Sequence, residues 1–129
     1  MTHTTDIQVR FADTDALGHL NNASYALFAE TARIAFFRDT KIVVTSLILA
    51  RLELDFIRQV KHGEAVQVVN SIEKIGNSSI TMLQTVTAET EPACQVRSVV
   101  VHFDYASNTP LRVPDEARVN LEPYIAQPE

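Results

Sequence analysis

Apolar and polar residues alternate along "DIQVRF", so Ile7, Val9 and Phe11 share one face and the stretch predicts a β-strand. A polar stretch follows. Then, from about Ala23 to Arg38, Tyr25, Phe28, Ala29, Ala32 and Phe36 recur at helical spacing. Leu27, Ile34 and Phe37 fall off that stripe, so the predicted helix is apolar around most of its girth, with Glu30 and Arg33 as its main charged interruption. Such a helix must be surrounded, and in a small domain a curved sheet wrapped around it is the natural solution. Alternation returns in "LILARLELDFI", where Leu52, Leu54 and Phe56 oppose Arg51, Glu53 and Asp55. "VKHGEA" reads as a loop. "VQVVNSIEKI" and "SITMLQTVTAE" read as strands flanking "GNS", a hairpin turn.

"TEPA" predicts a further turn, and "CQVRSVVVHFDY", rich in β-branched and aromatic residues, predicts the last long strand. "SNTPLRVP" reads as a loop and "DEARVNLEPY" as a short closing helix after Pro114. The three glycines, Gly18, Gly63 and Gly76, sit at element boundaries, and all five prolines follow residue 90. The order is a strand, a long helix, and four strands joined by short turns, which pair antiparallel. The class is α+β, with one antiparallel sheet and one buried helix.

The 129 residues suit a single domain, 1–129, with one core. A net charge of −5 argues against a nucleic-acid partner. Yet Arg33, Arg38, Lys41, Arg51, Arg58, Lys61 and His62 fall within one quarter of the chain, where they could serve a phosphate-bearing ligand or ordinary surface solvation. Cys94 is the sole cysteine, so no intrachain disulfide forms, which fits a reducing compartment. "MTHTTD" has no signal-peptide pattern, and no apolar run approaches the roughly 20 residues that span a bilayer. No membrane association and a cytoplasmic location are the expectations.

The chemistry concentrates in "DTDALGHLNN", Asp13 to Asn22. At a helix start, Asn21, Asn22 or Ser24 can cap unpaired backbone N–H groups, and aspartates are favoured by the same positive field. The same groups can act chemically. N–H groups facing a cleft form an oxyanion hole, a nearby carboxylate can attack a carbonyl or activate water, and Gly18 permits close backbone approach. Composition alone does not choose between these readings.

"VRFADTDALGHLNNASYALFAETAR" resembles the N-terminal signature of hotdog-fold thioesterases of the 4-hydroxybenzoyl-CoA thioesterase type, and its "GHLNN..Y" form resembles acyl-CoA and acyl-carrier-protein thioesterases. "LELDFIRQVKHGEAVQV", "SIEKIGNSSITM" and "RSVVVHFDYASNTPLRVP" are similar to later family segments in the same order, so the resemblance spans about residues 5 to 124. It implies a hotdog fold, a curved antiparallel sheet around one central helix. It further implies a homodimer or a dimer-of-dimers tetramer with active sites at the interface.

Residue by residue, the resemblance implies Asp15 as nucleophile or general base in thioester hydrolysis, Asn22 as donor of a backbone N–H to the thioester carbonyl, and Gly18 as the glycine of the turn. Asp13 is expected to be structural. His19, Asn21, Tyr25 and Ser79 are the substrate-positioning candidates, Ser79 keeping a hydroxyl where "GNSS" replaces the prototype's basic coenzyme A-binding residues. Arg58, Lys61 and His62 are then the candidates for the nucleotide phosphates; otherwise the carrier is a protein-borne phosphopantetheine. Ala16, Leu17, Leu20 and Ala26 favour an aliphatic acyl group.

Another hotdog clade uses a helix glutamate, which makes Glu30 the reserve carboxylate; it can also pair with Arg33 three residues on. His102 and Asp104 with His19 give no trusted metal spacing, and Cys94 reads as structural. The expected function is acyl-CoA or acyl-carrier-protein thioester hydrolysis without a metal or a tightly bound cofactor, coenzyme A being part of the substrate. A hotdog hydratase or dehydratase and a non-catalytic acyl-CoA-binding protein are the alternatives.

Overall fold

The computed structural model describes residues 1–126; the last three residues of the predicted domain, 127–129, lie outside the described residues. The long strands are β1 (His3–Ile7), β2 (Leu47–Phe56), β3 (Val66–Ile75), β4 (Ser79–Ala88) and β5 (Glu91–Asp104). They form one sheet in the order β1-β3-β4-β5-β2, every neighbouring pair antiparallel, with the two-residue β6 (Thr109–Pro110) on the end of β5. Helix α1 (Asn22–Asp39) lies on one face, and the short α2 (Asp115–Leu121) closes the far end. This is the hotdog arrangement, in the α+β class.

Curvature has a local cause. The pairing register shifts at Leu49/Arg51, Ile72/Lys74 and Val86/Thr87, and each such bulge bends its strand and tightens the twist. On the concave side β3 buries Val66, Val68, Asn70 and Ile72 at alternate positions, and β5 buries Cys94, Val96, Ser98 and Val100. They meet the helix stripe Tyr25, Phe28, Ala29, Ala32 and Phe36, all buried as its spacing predicted. The core forms two clusters along α1, one around Phe28 and Val86, the other around Phe36 and Met82. Buried Gln84 ties helix to sheet, its amide donating to the Ala29 carbonyl (2.9 Å) and to Asn70 Oδ1 (2.8 Å).

Two expectations are corrected. The first strand ends at Ile7 rather than running to Phe11, which is 85% exposed in a short 3₁₀ turn. The cause is Asp13. Its carboxylate accepts from the Arg10 backbone N–H (2.8 Å) and guanidinium (2.9 Å), turning the chain off the sheet. The helix is also not fully surrounded. The sheet covers the stripe and Phe37, but Leu27 and Ile34 remain 44% and 45% exposed.

Asp13 also holds the start of α1. Its carbonyl accepts from the Asn21 N–H (2.9 Å) and the Ser24 hydroxyl (2.8 Å). Hydrogen bonds from Arg10, opposed by burial, hold the Asp13 carboxyl below the usual carboxylate range. Its contribution is therefore present above the ordinary carboxylate pKa and lost as pH falls through the lower folded-state value. Asp13→Ala should cost about 1–3 kcal/mol of stability near neutral pH. Chemical denaturation should show the gap to the unmodified protein closing below about pH 4.

Candidate active site

The loop from Asp13 to Asn21 is laced to the segment after β2. The Leu20 N–H donates to the Val60 carbonyl (2.7 Å), and the His62 N–H donates to the Gly18 carbonyl (3.0 Å). Thr14 and Leu20 bridge within the loop, as do His19 and Lys61 between the two segments. Gly18 turns at φ +81°, a left-handed conformation that favours glycine. The sequence's choice of glycine here therefore has a backbone reason as well as one of access.

Asp15 sits at the mouth of this loop. Its Oδ1 accepts from the backbone N–H groups of Leu17 (2.8 Å) and His19 (3.1 Å), and its own N–H donates to the His19 carbonyl (2.7 Å). These bonds fix the carboxylate's orientation, and the side chain is exposed. Asn21 is the helix cap, its side-chain oxygen accepting from the Ala23 N–H at 3.2 Å. The Ser24 N–H is taken by the Asn21 carbonyl at 2.9 Å. The Asn22 N–H, first of the helix, has no partner among the described residues. A free N–H at the positive end of an 18-residue helix is a site for developing negative charge.

These groups share one open cleft of about 510 Å³, lined by Asp15, His19, Leu20, Asn21, Asn22 and Tyr25 from the loop and helix. Phe56, Ile57, Arg58 and Gln59 close its other side. Tyr25 is buried, its ring edge-on to Phe56 at 5.4 Å and its hydroxyl 3.5 Å from the Arg58 carbonyl. Burial pushes the Tyr25 phenol above its ordinary pKa, so it serves as a neutral wall.

The structure thus brings together Asp15, His19, Asn21, Asn22, Tyr25 and Arg58, with Gly18 beneath them. Lys61 and His62 are exposed on the adjoining loop. The Arg58 guanidinium is already bonded to Glu64 (3.2 Å), the Ala88 carbonyl (2.7 Å) and the Gln59 carbonyl (3.1 Å). Ser79 lies elsewhere, at the opposite end of β4 from the cleft. Of the expected acyl-chain residues Leu20 lines the cleft, whereas Leu17 is exposed.

Glu30 lines a different hollow together with Arg33, and no ion pair joins the two among the described residues. Burial lowers the Arg33 pKa from its ordinary value. Cys94 is fully buried, and burial, assisted by Asp55, pushes its thiol up to about 11, which keeps it unreactive. Among the described residues no group of three or more His, Cys, Asp and Glu side chains converges as a metal site. No helix among them is long and apolar enough to cross a membrane.

Sequence reading missed Phe56, Ile57 and Gln59. Alternation puts Phe56 on the inward face of its strand, yet it and Ile57 are half exposed at the cleft. Two consecutive apolar residues, Phe56 and Ile57, closing an alternating strand ahead of a basic loop were the available signal.

The chain also resembles known proteins in sequence and fold. Residues 9–121 match the family model of the thioesterase-like superfamily. YsmA of Bacillus subtilis (strain 168) is 28% identical over 120 residues, covering 89% of this chain and 82% of YsmA. Among solved structures, a predicted thioesterase from Bacillus stearothermophilus superposes with a TM-score of 0.91 at 30% identity, covering 100% of both chains. A thioesterase from Thermus thermophilus, complexed with coenzyme A and Zn, gives 0.87 at 30% identity, covering 98% of this chain and 96% of its own. The chain whose cleft is lined by both Asp15 and Asn22 belongs to the thioesterase-like superfamily.

Proposed function

We propose that this protein hydrolyses the thioester of an acyl-coenzyme A, or of an acyl group carried on a protein-borne phosphopantetheine, to the free acid and thiol. The observation that carries the reading is the unpartnered Asn22 N–H at the helix N-terminus, in the same cleft as the Asp15 carboxylate. The thioester carbonyl oxygen accepts from that N–H, so charge growing on it is stabilised by the bond and the helix field. Asp15 either attacks the carbonyl carbon or takes a proton from the water that does. The C–S bond breaks and the thiolate leaves. If Asp15 attacked, water then cleaves the acyl–aspartyl anhydride. Leu20, Tyr25, Phe56 and Ile57 supply an apolar wall for an aliphatic acyl chain, and His19 and Asn21 border the carbonyl. Lys61 and His62, exposed beside the cleft, are better placed for the nucleotide phosphates than the engaged Arg58. The reaction uses protein groups and water, without a metal or a bound cofactor.

The hydratase reading wants an Asp/His side-chain pair. Here Asp15 meets His19 through the latter's main chain, so hydrolysis is preferred. We also propose assembly through the free edge of β2, giving an edge-to-edge homodimer that can double into a tetramer. β2 is a ten-residue strand bonded only to β5, flanked by the exposed Ile34 of α1, which shares a hollow with Leu47 and Leu49. An open edge of that length calls for a cover.

Asp15→Asn should lower turnover by about 10²- to 10⁴-fold with an unchanged melting temperature; near-normal thiol release would defeat the assignment. Asn22→Pro removes the N–H together with the side chain at the first helical position, where proline suits the backbone, and should cost about 10²-fold in kcat. Asn22→Ala keeps that N–H and should retain activity. Lys61→Ala with His62→Ala should raise KM for acyl-coenzyme A and leave kcat unchanged. A KM that does not move would place the nucleotide elsewhere.

A further inference from the structure

Arg33 is a charged residue that the site does not use and the fold leaves without an ion pair among the described residues. It is 7% exposed, and its Nη1 has no hydrogen-bond partner among the described residues. Native proteins seldom leave a buried guanidinium nitrogen unpaired, because a buried charge needs an acceptor. Arg33 lines a hollow of about 300 Å³ with Glu30, Ile34, Phe37, Leu47 and Leu49, on the flank of α1 beside the free edge of β2. Glu30, in the same hollow, is exposed.

The topology supplies the acceptor. Helix α1 runs antiparallel to β2: Tyr25 stacks against Phe56 at one end, and Phe37 shares a hollow with Leu47 at the other. Leu49 of β2 lines the same hollow as Glu30 and Arg33, so this middle turn of α1 faces the free edge. If β2 pairs antiparallel with a second copy of itself, the two-fold axis stands perpendicular to the sheet and leaves both helices on the same face. An axis near the strand centre sets the midpoints of the two helices opposite each other. An isologous contact is reciprocal, so residue 30 of one copy that meets residue 33 of the other does so twice.

We infer that Arg33 pairs with Glu30 of a second copy of this chain, and that two such reciprocal ion pairs lock the dimer across the β2 edge. The inference rests on the edge pairing proposed above and names its determinants. The same antiparallel pairing sets the Phe56 end of one β2 beside the Leu47 end of the other.

The test is self-association measured by sedimentation equilibrium, with folding checked by circular dichroism and without reference to activity. The unmodified protein should be dimeric. Glu30→Arg and Arg33→Glu should each raise the dimer dissociation constant by about 10-fold or more through like-charge contacts. Mixed in equal amounts, the two variants should form a heterodimer, because each then offers the charge the other lacks at both contacts. Glu30 is exposed, so Glu30→Arg keeps the test decisive even if Arg33→Glu fails to fold. Unmodified protein that is monomeric overturns both the edge pairing and the ion pairs. Unmodified protein that is dimeric while Glu30→Arg dimerises equally well overturns the ion pairs and leaves the edge pairing standing. Folded single variants that do not associate on mixing overturn the pairs as well.

Discussion

Asp13 joins strand, loop and helix through two groups of one residue. Its carboxylate takes the backbone and guanidinium of Arg10, and its carbonyl takes the Asn21 N–H and the Ser24 hydroxyl. A buried carboxylate is tolerated only when paired, and here the pairing also sets the direction in which the chain enters α1. With the entry fixed, Asn21 caps the helix, and Asn22, which lines the cleft, is left with a free N–H. Two aspartates two residues apart thus divide the work. One is buried to hold the loop, and the other is exposed at the end of it.

The second constraint is the seam between that loop and the segment following β2. Bonds from Leu20 to Val60 and from His62 to Gly18 draw the end of β2 against the helix start. The apolar wall of Phe56 and Ile57 thereby reaches the cleft that holds Asp15. Arg58 belongs to this seam. Its guanidinium joins Glu64 and the end of β4, which makes it a strut between the loop after β2 and the sheet.

The legible parts of the sequence were those governed by local periodicity. α1 runs Asn22–Asp39 against an expected Ala23 to Arg38, and β3 matches its predicted limits. The position of Asp15 before the helix was readable because motif and cap share one short stretch. What escaped depended on contacts distant in sequence. Phe11 kept the alternation of a strand, but the Asp13–Arg10 bonds turned the chain away first. Ser79 kept its hydroxyl, yet the register of β4 carries it to the far end of the sheet. Arg58 looked like a free cation until the fold placed Glu64 and the Ala88 carbonyl beside it. The uncovered face of α1 at Leu27 and Ile34 likewise emerges only once the sheet is seen to cover one side of the helix.

In the proposed reaction a thioester carbonyl rests on the Asn22 N–H, in the cleft that Asp15 lines. The most direct measurement is an amide ¹H–¹⁵N spectrum titrated with an acyl-coenzyme A ketone, in which a methylene replaces the sulfur so that the carbonyl is kept and cannot be hydrolysed. With the carbonyl held there, the Asn22 amide shifts most, downfield as it donates to the carbonyl, with Leu17, Gly18 and His19 moving in step. An Asn22 amide that stays in place while the ligand saturates, with the shifts gathered around the separate hollow of Ile42, His102 and Val113, would contradict it.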